Sequence, residues 1–152
     1  MIRASTVLKY WLPAALWMIL IFSASSDSQS GQRSSRFIGP LIRWLVPGIS
    51  EPATKRVVGI VRKIAHVTEY AVLAILIWWA RRGTAGAPKR HWHWPHARFA
   101  FVIAVLYAVT DEIHQVFVPN RGPNFWDVVL DAGGAAFGLW LIWLFFRFKH
   151  TK

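Results

Sequence analysis

Residues 98–118 read RFAFVIAVLYAVTDEIHQVFV. From Phe99 to Val109 no charge interrupts the apolar run, and then Asp111, Glu112, His114 and Gln115 arrive together at one end. A helix of this length crosses a hydrocarbon core at 1.5 Å per residue. Only helices and closed barrels can do so, because lipid offers no partner to free backbone groups, and the run lacks the alternation of barrel strands. Three further runs of the same kind flank it: Leu8–Ala24, Ile64–Ala80 and Asp127–Phe146. Pro13 is tolerable inside a membrane helix. The expectation is an all-α membrane protein, a single domain of four transmembrane helices at about 8–24, 54–81, 98–118 and 126–147.

Composition agrees. Of the 152 residues 55% are hydrophobic and only 16% charged, with ten Trp and a mean hydropathy of +0.34. Soluble domains sit near a quarter charged, so an ordinary soluble fold and intrinsic disorder are both disfavoured. The absence of cysteine excludes disulfides, a thiol nucleophile and Cys-ligated zinc or iron–sulfur sites. A net charge of +11 raises the question of nucleic acid. No nucleic-acid motif is present, and the placement of the charges answers otherwise.

With the N-terminus inside, the inner segments hold ten basic residues and no acid, among them Arg3, Lys9, Arg81, Arg82, Arg98, Arg147 and Lys149. The outer side receives the other eight basic residues and all seven acids. This fits the positive-inside rule and puts both termini in the cytoplasm. A rival reading makes residues 1–25 a cleaved signal peptide ending at Ser23-Ala24-Ser25, which leaves the topology of the rest unchanged.

The longest connection opens with a polar stretch, SSDSQSGQRSS from Ser25, that reads as solvated loop. Phe37, Ile38, Leu41, Ile42, Leu45 and Val46 then recur at helical spacing. They read either as a short helix in the outer interface or as a loop packed over the bundle. Pro47-Gly48 ends this stretch, and Ser50-Glu51-Pro52 is a helix start, with Ser50 as N-cap. That helix should run unbroken to Arg81. The inner loop holds His91, His93 and His96. It offers either a metal site or, the blander reading, a cationic loop with interfacial Trp beside anionic lipid.

Ionisable groups inside spanning segments are costly and mark function by default. The second run carries Lys63, His66, Glu69 and Tyr70; Lys63, His66 and Tyr70 share one face, and Glu69 is an i, i+3 neighbour of His66. On the third, Asp111 and Gln115 stack one turn apart, flanked by His114, and Arg121 follows in the outer turn. The fourth opens with Asp127 and repeats an acid at Asp131. Given the orientation, all three segments deliver their polar residues to the outer end. The simplest outcome is one polar pocket open to the outer face. Gly134 and Gly138 form a G-x-x-x-G that lets helices approach closely.

The strings Lys63-x-x-His66-x-x-x-Tyr70, Asp111-Glu112-x-x-Gln115-x-Phe117-x-Pro119-x-Arg121 and Asp127-x-x-x-Asp131-x-x-Gly134 resemble the VanZ-like family of small bacterial membrane proteins. The resemblance covers roughly residues 60–140. The family's glycine before the arginine is Asn120 here, and Asp131 stands where the family often has Asn. The resemblance implies a multi-pass protein of the bacterial cytoplasmic membrane. It also implies that these polar positions are functional and that a link to resistance against the lipoglycopeptide teicoplanin is the family's name-giving property.

Three functions compete for the cluster. In an enzyme, Asp111 and Glu112 would divide into proton donor and base, with His66 or His114 as shuttle. Lys63 and Arg121 would hold an anionic head group, and Gln115, Tyr70, Glu69, His114, Asp127 and Asp131 would complete the substrate contacts. The substrate class would be a lipid-linked envelope intermediate, and the reaction hydrolysis or head-group transfer. A metal variant uses His66, Glu69, Asp111, Glu112, Asp127 and Asp131, mixed ligands that suit Zn²⁺, Mn²⁺ or Fe²⁺; the sequence names no cofactor. A non-catalytic protein would use the same residues to bind or shield an amphiphile such as a lipidated antibiotic. In the third reading the charges only pair and lock the helices. A channel ranks below these, because no ionisable residue continues the path through the inner half.

Overall fold

The computed structural model describes residues 4–26, 30–86, 92–118 and 124–149. Five helices follow in order: α1 (Ala4–Ser25), α2 (Ser30–Leu45), α3 (Glu51–Thr84), α4 (Trp94–Gln115) and α5 (Phe125–Lys149). No strand occurs among the described residues. Helices α1 and α5 are each long and apolar enough to cross a membrane.

The start of α3 is set locally. Ser50 lies in extended backbone and its hydroxyl accepts from the Ala53 N–H at 3.4 Å, with Pro52 in the first turn where its missing N–H costs nothing. With 34 residues, α3 is a rod of about 51 Å. It is the spine against which the other four helices pack.

Small residues set the approach of α5 to α3. A side chain at Gly134 would collide with the backbone carbonyl oxygen of Val67, and one at Gly138 would lie 2.5 Å from that of Ala71. The G-x-x-x-G is thus a groove for the α3 backbone. Helix α4 buries a stripe of Ala97, Ala100, Ala104 and Ala108 before it reaches Asp111. Between these small faces sit the large core residues of α3: Tyr70, Leu73, Ile77 and Trp78. Helix α1 continues through Pro13 and buries only Ala14, Ile21 and Ser25. Two hydrogen bonds to helix carbonyls fasten it: Tyr107 Oη donates to Met18 O (2.6 Å) and Trp17 Nε1 to Glu69 O (2.9 Å).

Three boundaries differ from the sequence reading. The polar start of the long connection is not all loop, since residues from Ser30 onward are helical. Of the two readings of the apolar stretch after it, a helix is observed. It rests on the beginning of α3, where Gly39 meets Thr54 and Arg43 pairs with Glu51 at 3.5 Å, while Phe37, Leu41 and Trp44 remain exposed. Helix α4 starts at Trp94, because Pro95 occupies its first turn, and ends at Gln115. The next three residues, Val116–Val118, form turns bonded back to Ile113, His114 and Gln115.

The end of the bundle where α3 finishes is aromatic and cationic. The Arg82 guanidinium lies 5.0 Å from the Trp78 ring and 4.8 Å from Phe146, and Arg81 lies 5.2 Å from Phe99. Trp78 and Trp92 stack at 5.8 Å. The Tyr10 ring packs edge-on to Trp79, over Gly83, where any side chain would strike it.

Candidate polar pocket

Four helix segments bring polar groups together at the opposite end: the last residues of α1, the middle of α3, the end of α4 and the start of α5. A cavity of about 260 Å³ opens among the last three, lined by Gly59, Arg62, Lys63 and His66 of α3, Glu112 and Gln115 of α4, and Asp127, Leu130 and Asp131 of α5. Six of the residues singled out from sequence therefore share one cavity wall: Lys63, His66, Glu112, Gln115, Asp127 and Asp131. Arg62, Gly59 and Leu130 were not singled out. Arg62 is one residue from Lys63 and could have been found by the same argument of depth.

Opposite charges face each other across the cavity. Lys63 Nζ lies 3.7 Å from Asp127 Oδ1, both side chains partly solvated, and His66 Nδ1 lies 3.4 Å from Glu69 Oε2 along α3. Asn124, just before α5, organises the junction of α4 and α5. Its side-chain oxygen accepts from the Trp126 N–H (3.1 Å), its amide donates to Asp127 Oδ1 (3.3 Å), and its backbone N–H donates to Glu112 Oε1. The sequence carries a signal for this role, an Asn immediately before an apolar run, in the position of an N-cap.

Asp111 and Glu112 are neighbours in sequence but part company in the fold. Asp111 is buried behind the cavity wall, where its Oδ2 accepts from Ser25 Oγ (2.6 Å) and Gln115 Nε2 (3.3 Å). Gln115 Nε2 also donates to Ser25 Oγ (3.0 Å). Tyr70 is fully buried on the same inner side, and Tyr70 Oη and Asp111 Oδ1 have no hydrogen-bond partner among the described residues. His114 turns toward α1, with Nε2 at 3.0 Å from Ser26 Oγ and its ring 4.3 Å from Phe22. Ser25 and Ser26 are thus further site-forming residues that sequence reasoning missed.

Arg121 and His91 lie outside the described residues. Among the described residues no three His, Asp or Glu side chains converge closely enough to hold a metal ion. Of the three histidines around the start of α4, His93 and His96 are described, with their rings 4.4 Å apart.

Residues 10–146 match the model of the VanZ/LLP1 family. The match covers nearly the whole chain, and the chain belongs to that family. No curated protein and no solved structure matches it.

Proposed function

Taking the chain as a member of the VanZ/LLP1 family, we propose that it crosses the bacterial cytoplasmic membrane four times, with α1, α3, α4 and α5, and has both termini inside. Its polar pocket then opens to the outer face. The exterior supports the bilayer as solvent: Leu8, Leu16, Ile19, Leu106 and Phe137 are each more than half exposed, which water would penalise and lipid would not. α2, amphipathic and resting on the outer part of α3, lies in the outer interface with Phe37, Leu41 and Trp44 toward the acyl boundary.

The pocket binds the head of a lipid-linked or amphiphilic envelope compound, with its tail in the bilayer. The observation that carries this reading is a cavity with cations on its α3 side and carboxylates on its α4 and α5 sides. Lys63 is the contact for an anionic group, and the family resemblance adds Arg121 to that role. Glu112 and His66 are the groups placed to move a proton if the compound is processed, and Asp127 and Asp131 receive a donor on it. Asp111 acts through Ser25 and Gln115, as a positioning residue for the α4 end. That part of the cluster serves structure, as the helix-locking reading has it. The family's link to teicoplanin is consistent with an amphiphile of this kind.

Native mass spectrometry of protein released from mild detergent tests the reading, with Glu112→Gln beside the wild type. The expected result is a retained mass, beyond bulk lipid, that the variant loses. Identical spectra from the two proteins would contradict a ligand role for Glu112.

A further inference from the structure

A second concavity, of about 540 Å³, lies at the far end of the bundle between the start of α4 and the second half of α5. Ala97 and Ala136 contribute only methyl groups to it, while Trp94, Trp140 and Trp143 supply broad indole walls. The result is a trough, because two small residues lie between large ones. Arg98 is the one charged residue among the described lining residues. The Arg147 guanidinium covers the Trp143 ring at 5.3 Å and so stays engaged outside the lining.

Apolar walls exclude a polar solute, and Arg98, with no carboxylate among the described lining residues, selects a negatively charged head. A second copy of this chain docked on the same face by a two-fold axis would bring the two copies' Arg98 side chains to one interface, a like-charge contact. A flexible hydrocarbon chain fits the trough without that penalty. We infer that the trough holds one acyl chain of an anionic glycerophospholipid, with its phosphate on Arg98. This inference rests on the helices forming a membrane bundle, but not on the outward-facing pocket.

The test uses the full chain in detergent micelles holding equal amounts of dioleoyl phosphatidylglycerol and dioleoyl phosphatidylcholine, read by native mass spectrometry. The wild type should retain phosphatidylglycerol over phosphatidylcholine by about fivefold, the factor one basic residue provides against anionic lipid. Arg98→Gln should remove most of the preference and Arg98→Lys should restore it, whereas Ala136→Phe should reduce retention of both lipids by filling the trough. Both positions are exposed, so a thermal melt matching the wild type separates loss of the site from loss of the fold. Equal retention of the two lipids by the wild type overturns the inference. So does wild-type retention by Ala136→Phe, or a dimer that Ala136→Phe dissociates. Extraction of the chain from membranes by alkaline carbonate would instead overturn the bundle on which the inference stands.

Discussion

The Ser25 hydroxyl donates to Asp111 Oδ2 at 2.6 Å, tying the last residue of α1 to the end of α4 across 86 positions of sequence. Both residues are buried. Ser25→Ala leaves Asp111 Oδ2 with Gln115 alone and takes from Gln115 its other acceptor. A buried polar group losing a partner costs about 1–3 kcal/mol. Thermal unfolding in detergent should show that loss for Ser25→Ala and almost none for Ser23→Ala, whose exposed hydroxyl bonds only to Ile19 O in its own helix.

The same contacts predict that α1 stays with the bundle rather than being cleaved from it. Met18 and Trp17 share hydrogen bonds with α4 and α3, and Ile21 is fully buried. Peptides from residues 10–25 should therefore be found by mass spectrometry in the same membrane-protein band as peptides of α5. A mature chain beginning beyond Ser25 would contradict this.

At the α3–α5 contact, Gly134 and its neighbour Gly133 make a matched pair. A methyl group at Gly134 meets the Val67 carbonyl, which as backbone cannot swing aside, whereas at Gly133 it meets nothing within 4 Å. Gly134→Ala should destabilise by about 1–3 kcal/mol, the usual cost of overpacking. Gly133→Ala should be neutral or stabilise by up to about 1 kcal/mol through helix propensity. Equal melting temperatures for the two variants would refute close packing at Gly134.

Much of this architecture was legible in the sequence, and the rest was not for identifiable reasons. Ser50-Glu51-Pro52 fixes the start of α3 within one turn, so local chemistry sufficed. The depth argument brought Lys63, His66, Glu112, Gln115, Asp127 and Asp131 to one cavity, because the alternating direction of successive helices and the position along each are readable from sequence order and length. Which of Asp111 and Glu112 faces the cavity was not readable. Adjacent helical residues differ by about 100° in direction, and the rotation of α4 is set by where its alanine stripe packs. Ser25 was passed over because small residues after an apolar run also describe a cleavage site. Yet it stands at the same end of the bundle as Asp111, where the depth argument applies equally.

Lys63 and Asp127 form a pair with side chains 60% and 41% exposed, so the pair adds at most about 1 kcal/mol of stability. Lys63→Ala should melt within about 1 kcal/mol of wild type while losing any anionic ligand retained in the polar pocket. A variant that unfolds but keeps its ligand until it does would assign Lys63 to structure.

The most direct test of the outward-facing pocket is topological, and a chain without cysteine is ready for it. Gly59 is exposed at the cavity wall with open space around its Cα, and Ala85 is exposed at the opposite end of α3. In intact cells a membrane-impermeant maleimide should label Gly59→Cys and leave Ala85→Cys unmodified until the cells are opened. Labelling of Ala85→Cys with protection of Gly59→Cys would turn the pocket to the cytoplasm and contradict the account.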